Sequence, residues 1–490
     1  MQARPIRHLA LAVLLMLVAC GAAGRGAEAA TTASAPPGHY IVVLQGGASA
    51  DAVAADDQVT TVHVYTRAIQ GFSATLTSAQ YDRLLRDPRV NNVVPDEVVR
   101  IADPATEPRS GSPLSAAPAL PTGVDRIDAE GAALSPPVSV AILDSGIDLG
   151  RPEFNVAGAV SFVAGNTTGQ DDNGHGTHVA GTAVARLMPS GFRGVAAGAP
   201  VYAVKVVDST GAGSTSTLIA GIDWVTANAA ADGIRVANVS LTAAGTNTAT
   251  CGVSGMTVVD PLHQAICNSV AAGVVYAVAA GNSGVDASNS VPAAYPEVVT
   301  VSAVADSDGQ GDHAGATTPF GADDTFASFS NFGSSVRLAA PGVDILSTVP
   351  TDGCQFCDPS GYAIESGTSS ASPHVAGAVA EYVALHSGVS TTGGPGVLAA
   401  AAQAVIAAAK PQASFCGFSG DPGGEPMVYV GQPATDCGQH APPVGGIALG
   451  TMPLPPPAPG AGGDGIAFVV AAVIVCVAVG AGYARRARRR

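Results

Sequence analysis

The sequence predicts an α/β protein whose main body is a doubly wound, mainly parallel sheet, preceded by a small α+β unit. Three observations predict it. Short apolar runs without polar alternation recur between residues 138 and 304, as strands covered on both faces require. Helix-like stretches such as "STLIAGIDWVTANAA" (216–230) lie between them, which gives successive strand–helix–strand units. Ahead of these, residues 39–101 carry short strand-like runs around a single helical face.

In chain order, residues 1–29 read as an export signal. Arg4 and Arg7 precede the apolar run Leu9–Val18, and Ala27-Glu28-Ala29 supplies a small-x-small cleavage site. That run is too short for a resident membrane helix. "LVAC", ending at Cys20, also resembles a bacterial lipoprotein box, so lipidation of Cys20 stays open beside ordinary cleavage. In 39–101, "YIVVL" (40–44), "VHVY" (62–65), "FSATL" (72–76) and "NVVPDEVVRI" (92–101) read as strands. Thr77 and Gln80 have capping-box spacing, and Tyr81, Leu84 and Leu85 share one helical face. Residues 102–121, rich in Pro, Ser and Ala, form an exposed linker open to proteolysis.

The main body spans 122–411, with strands at "VSVAIL" (138–143), "VYAVKVV" (201–207), "VANVSL" (236–241), "VVYAVAA" (274–280) and "VVTVSAV" (298–304). Residues 412–464 are a Gly- and Pro-rich spacer ending in the stiff "PLPPPAPGAGG". "GIAFVVAAVIVCVAVGAGYA" (465–484) is uncharged; at about 1.5 Å per residue it crosses a hydrocarbon core of about 30 Å. "RRARRR" (485–490) follows and belongs on the cytoplasmic side. The expected location is the cell membrane, single-pass, with the main body outside. A sorting tail removed after export is the alternative, leaving a cell-wall-associated or secreted protein.

Apolar residues make up 47% of the 490, enough for a sizeable core, while aromatics are only 5%. The net charge of −16, with lysine only at 205 and 410, argues against nucleic acid as a partner. Of eight cysteines, Cys20 lies in the signal and Cys476 in the apolar run. Proximity favours Cys251–Cys267, Cys354–Cys357 and Cys416–Cys437 for the other six, in keeping with an oxidising compartment. "CQFC" (354–357) lacks a second ligand pair or a redox-type context, which favours a structural disulfide over zinc or redox chemistry.

Three stretches stand where such a sheet delivers side chains to one cleft. "AILDSG" puts Asp144 at the carboxyl end of a buried strand; "DDNGHGTHVAGT" puts His175 and His178 at the start of a helix; "ESGTSSASPHVAG" puts serines at the start of another. A serine hydroxyl becomes a nucleophile only when an imidazole takes its proton and a carboxylate holds the ring. A zinc site on the two histidines lacks the glutamate such helices carry.

On "DSG", "HGTHVAGT" and "GTSSASPHVAG" the chain resembles the subtilisin-like serine peptidases, in style nearest the proteinase K branch, over roughly 120–411. Subtilisin is itself the type case of the Asp, His, Ser order. The resemblance implies Asp144 as acid, His175 as general base and Ser369 as nucleophile. It leaves His178 as a packed helix residue. Pro373 is expected where a missing N–H breaks no helical bond. "AVAAGNSG" (277–284) implies Asn282 as oxyanion donor together with the Ser369 N–H. "GAG" (211–213) and "VSL" (239–241) imply edge strands that pair with an extended peptide, through Gly211, Gly213, Ser240 and Leu241. Thr242 and Ala243 replace glycines usual in the family, and Ser290 lies near the floor of the first specificity pocket, so a shallow pocket for small or medium side chains is expected.

"YIVVL", "GFSATLT" and "VVPDE" in 39–101 resemble the family's inhibitor prodomain, a ferredoxin-like unit that fills the cleft until cut away. The implied function is an exported serine endopeptidase made as an autoprocessed zymogen. Its partners are polypeptide substrates, its own prodomain and, through 465–484, the membrane. The rival is a catalytically idle scaffold of the same fold that binds or assembles. No cofactor is required; structural calcium is common in the family, but Asp148, Asp171 and Asp172 make no readable motif and no metal is assigned.

Overall fold

The computed structural model describes residues 37–102, 119–132, 136–247, 251, 260–412, 414 and 417–431. The export signal, the apolar run 465–484, the basic tail, most of linker 102–121 and the Cys416–Cys437 pair lie outside these residues. Among the described residues no helix is long and apolar enough to cross a membrane.

The N-terminal unit comprises β1 (Gly38–Leu44), α1 (Ala50–Asp56), β2 (Thr61–Tyr65), β3 (Gly71–Leu76), α2 (Ser78–Leu84) and β4 (Val90–Pro95). Its antiparallel sheet has the order β2–β3–β1–β4. The Thr77–Gln80 capping box forms as the spacing predicts. Helix α1 left no sequence signal: its seven residues bury only Val53 and Ala54.

"NVVPDEVVRI", expected as one strand, is two. Strand β4 ends at Pro95, which has no N–H to extend the ladder. The chain turns at Asp96 and Glu97, and β5 (Val98–Ile101) leaves the sheet altogether. Asp96 is the reason for the turn. Its carboxylate accepts from the Ser216 N–H at 2.8 Å and the Ser216 hydroxyl at 2.7 Å, at the start of a helix in the main body.

That body runs through α3 (Thr122–Arg126), β6 (Ser139–Asp144), β7 (Asn155–Ser161), α4 (His175–Val184), β8 (Pro200–Lys205), β9 (Ala212–Ser214), α5 (Thr215–Asn228), β10 (Ile234–Val239) and β11 (Leu241–Ala244). It continues with α6 (Pro261–Ala271), β12 (Val275–Ala279), β13 (Ser290–Val291), β14 (Val299–Ala305), β15 (Thr325–Phe326), β16 (Val336–Pro341), β17 (Ile345–Thr348), β18 (Tyr362–Glu365), α7 (Thr368–Leu385) and α8 (Ala400–Ala408). The central sheet has the order β15–β14–β12–β10–β6–β8–β7, with β16 also on β14. All its pairings are parallel except β14–β15.

Both faces are buried, as the unbroken apolar runs require. In β6, Val140 and Ile142 join the core that holds Val179 and Val184 of α4 and Val375 and Val379 of α7. Ala141 and Leu143 join the opposite core, with Leu218 and Ile222 of α5 and Ile266 of α6. The second core also takes in Ile41, Tyr65, Val99 and Ile101 of the N-terminal segment. The two sequence segments are packed as one body.

Residues 417–431 belong to this body rather than to a spacer. Phe418, Met427 and Val428 are buried. The Val428 N–H donates to the Ala339 carbonyl at 2.9 Å, and the Val430 N–H to that of Ile127. A few large apolar side chains among Gly and Pro suffice to hold the segment. Disulfides join Cys251 to Cys267 and Cys354 to Cys357, the two pairs that proximity favoured within the described residues.

Candidate active site

Parallel strands that end at one edge bring their following residues together. Strand β6 ends on Asp144; β10 and β12 end just before Ser240 and Asn282. Helices α4 and α7 begin at this same edge, with His175 and Ser369 in their first turns.

His175 Nδ1 lies 2.8 Å from Asp144 Oδ1. That oxygen also accepts the Ser145 N–H at 2.7 Å, so it is an acceptor here and the imidazole proton sits on Nδ1. In the neutral ring Nε2 is left with the lone pair; it is buried and makes no hydrogen bond among the described residues. Burial works to lower the pKa of His175, but the charge and hydrogen bond of Asp144 outweigh it and raise it above the ordinary imidazole value. His178 and His374 differ: burial dominates and lowers both. His178 is wholly buried, with Nε2 3.0 Å from the Ile345 carbonyl oxygen, a packed helix residue as expected.

The turn before α4 is fixed by Asp171, which sequence reading did not single out for this role. Its carboxylate accepts from Ser145 Oγ, the N–H groups of Asn173, Gly174 and Thr177, and Thr177 Oγ1. Gly174 takes φ of 110°, a left-handed conformation that lets the helix start directly on His175. Asp172 pairs with the buried Lys205 at 2.6 Å, and Asp148 Oδ1 accepts from Gln170 and Gly150. These three carboxylates hold the turns around the start of α4.

Ser369 is buried in the first turn of α7. Gly367 stands between it and Asn282: a Cβ there would lie 2.8 Å from Ser369 Oγ and 3.1 Å from Asn282 Nδ2. The two polar groups therefore converge on a space only glycine leaves open. Thr368 orients the amide, its N–H and its hydroxyl both donating to Asn282 Oδ1 at 2.8 Å. Nδ2 is thereby turned into the cleft. Asn331 braces the same loop, accepting from the Ser283 and Val285 N–H groups.

Pro373 corrects one expectation. The helix starts at Thr368, so Pro373 sits in its sixth position, inside the helix. The carbonyl it leaves without a helical partner is that of Ser369, which accepts from Ser240 Oγ at 2.9 Å instead. Ser372 Oγ donates to Asn238 Oδ1, and Ser366 Oγ accepts the Asp344 N–H. These serines are structural.

A peptide already lies in the cleft, and it is the chain's own β5. On one side it pairs antiparallel with β9, Val99 opposite Gly213 and Arg100 opposite Ala212; on the other with β11, Ile101 opposite Leu241 and Arg100 opposite Thr242. The Ile101 N–H donates to the Gly211 carbonyl at 3.0 Å, and the Ala102 N–H to that of Ser240 at 3.1 Å. Both edges thus hold the backbone of β5 extended. Asn282 Nδ2 donates to the Ala102 carbonyl oxygen at 3.0 Å. Ser290 lies on β13, beyond β11, opposite Ala244. No sequence signal marked Ala102, because its role depends only on where β5 stops.

The family model described as "Subtilase family" matches residues 136–413, and that described as "Peptidase inhibitor I9" matches residues 39–102. Subtilisin amylosacchariticus of Bacillus subtilis subsp. amylosacchariticus is 36% identical over 326 residues, 65% of this chain and 71% of that protein. Subtilisin of Bacillus pumilus is 40% identical over 253 residues, 51% of this chain and 78% of its own. Subtilisin Savinase of Lederbergia lenta is 37% identical over 268 residues, 54% of this chain and 84% of its own.

Proposed function

The chain belongs to the subtilase family, a subtilisin-like serine peptidase with an inhibitor prodomain, and from that premise we propose that it is an exported endopeptidase that matures by cutting itself after Ala102. The observation that carries this reading is the Ala102 carbonyl, held by Asn282 Nδ2 at 3.0 Å at the end of a strand paired on both sides.

In the proposed reaction Ser369 Oγ attacks the carbonyl carbon of Ala102 while His175 Nε2 takes the hydroxyl proton. Asp144 holds the ring and stabilises the imidazolium that forms. The carbonyl oxygen becomes an oxyanion, and the Asn282 amide is already aimed at it. Collapse breaks the bond to residue 103, whose amine takes the proton from His175. Water then hydrolyses the acyl-enzyme by the same steps in reverse roles.

The released prodomain still grips the enzyme. Asp96 caps α5, and Asp223 accepts the N–H groups of Thr66, Arg67 and Ala68. Val99 and Ile101 are buried in the cleft, each contributing about 1.5–3 kcal/mol by burial. The cut therefore leaves an inhibited complex until the prodomain is itself destroyed. Export and a membrane tether rest on the sequence: the signal over 1–29, the apolar run 465–484 and the arginines after it.

Three measurements test this. N-terminal sequencing of the mature protein is expected to begin at Asp103, or a few residues later if exposed linker is trimmed; an intact junction in secreted active enzyme contradicts the reading. A peptide library is expected to be cleaved fastest after alanine or another small residue, as Ala102 occupies the first pocket. Fastest cleavage after Phe or Trp contradicts the shallow pocket. Asn282→Ala is expected to lower kcat by about 10²–10³-fold with little change in KM, because the donor is used most in the transition state. A change in KM alone means the amide only binds substrate.

A further inference from the structure

Beyond strand β11 the chain reaches a buried cluster of side chains that the proteolytic reaction does not use. It consists of Cys251, His263, Cys267 and Glu297, all buried. His263 and Cys267 lie four residues apart on α6 and so share one face of that helix. One ligand atom from each of the four lies within 4.8 Å of the others. Glu297 bridges sulfur and ring, with Oε1 2.9 Å from Cys251 Sγ and Oε2 2.8 Å from His263 Nε2. Cys251 Sγ is itself 3.5 Å from His263 Nε2.

The surrounding residues hold these groups in place. Asp260 caps α6, its Oδ1 accepting the His263 N–H at 3.0 Å and its Oδ2 the Tyr295 hydroxyl at 2.8 Å. The Tyr295 ring stacks on His263 with centroids 4.2 Å apart. The Gly396 N–H donates to Glu297 Oε1 at 2.6 Å. A disulfide needs neither an imidazole nor a carboxylate beside it. Its sulfurs carry no proton, so they offer nothing to a carboxylate oxygen 2.9 Å away. A thiol would donate to that oxygen, and a cation would bind both.

We propose that, when the Cys251–Cys267 disulfide is reduced, these four side chains form a zinc site. The ligands are the two sulfurs, His263 Nε2 and one oxygen of Glu297, a mixed set that suits a tetrahedral ion. Bonds of about 2.0–2.3 Å put tetrahedral neighbours roughly 3.3–3.8 Å apart, which the Cys251–His263 pair already satisfies at 3.5 Å. The thiolates favour zinc over calcium or magnesium. Two electrons and two protons from a small dithiol open the disulfide, and the dithiol is itself oxidised to a cyclic disulfide. Zinc then displaces both thiol protons, which leave to solvent. The ring proton passes from Nε2, which faces Glu297, to the buried Nδ1. Disulfide and zinc are thus alternative closures of one loop. Each fastens Cys251 to α6, and with it the chain that follows β11, the strand paired with β5 in the cleft.

The test uses the full-length Ser369→Ala protein, in which self-digestion is removed, reduced with a dithiol and freed of it without oxygen. Cobalt is expected to give a thiolate-to-metal charge-transfer band that added zinc abolishes, and zinc to raise Tm in a saturable way. The unreduced protein should show neither. Glu297→Gln and His263→Gln are each expected to weaken zinc binding tenfold or more, and Cys354→Ser/Cys357→Ser to leave it unchanged, which excludes the other described pair as the source. Alkylation mapped by mass spectrometry needs no substitution at the cluster: zinc is expected to slow modification of Cys251 and Cys267 tenfold or more. Absence of the charge-transfer band overturns the site. So does alkylation of these two cysteines at the same rate with and without zinc, or undiminished affinity in both glutamine variants.

Discussion

Ser369→Ala is expected to leave the full-length chain uncut after Ala102 and to lower kcat/KM by about 10⁴–10⁶-fold, the upper figure being that known for the subtilisin serine. The substitution removes one oxygen from the first turn of α7. The Ser369 carbonyl still accepts from Ser240, and the Asn282 amide is still held by Thr368. Fold and prodomain docking should therefore survive, and the uncut precursor should accumulate as a stable species on a denaturing gel. The residual rate comes from the oxyanion donor and from strand pairing of substrate, which this variant keeps. Processing at wild-type speed in Ser369→Ala, with a contaminating protease excluded by a catalytically dead co-purified control, contradicts self-cleavage.

Asp144→Asn is expected to act on both height and position of the pH profile. The general base must be neutral to take the serine proton, so kcat/KM rises as His175 loses its own proton. In the native protein Asp144 raises the His175 pKa against the pull of burial, which places the acid limb on the alkaline side of about 6.5. With asparagine the raising cause is gone and burial remains. The acid limb should then move to lower pH, while the plateau falls about 10⁴-fold, since an amide also favours the wrong tautomer. A limb that moves upward, or a plateau within tenfold of wild type, contradicts the role given to the pair.

The sheet was legible because nearly every strand is buried on both faces and so reads as an unbroken apolar run. Val140 and Ile142 face one core and Ala141 and Leu143 the other. The pattern failed where a strand changes partner. "VANVSL" contains the end of β10 and the first residue of β11, and "NVVPDEVVRI" joins β4 to β5. Apolar content does not record which edge a strand will meet. One break falls at Ser240, which donates to the Ser369 carbonyl, and the other at Asp96, which accepts from Ser216 at the start of α5. The N-terminal unit held further surprises of the same kind, since α1 buries too few residues to imprint a period.

Within the site, residues whose type the chemistry dictates could be found from sequence. Asp144, His175, Asn282 and Ser369 each sit in a motif that resembles the family's, and the resemblance implied their roles. Residues that position them could not. Thr368 matters because its hydroxyl and N–H point at Asn282, and Asp171 because five donors converge on it; neither fact has a sequence period. Ala102 was the least legible, an alanine beside a linker.

The central claim, that one activated serine performs the chemistry, is tested most directly by a fluorophosphonate probe followed by peptide mass mapping of the mature enzyme. The account predicts a single adduct on the peptide containing Ser369, formed quickly at alkaline pH, slowed by acid and absent after Asp144→Asn and Ser369→Ala alike within the same exposure. An adduct on Ser366, Ser370 or Ser372 instead, or none on a prodomain-free protein that still cleaves peptides, contradicts it.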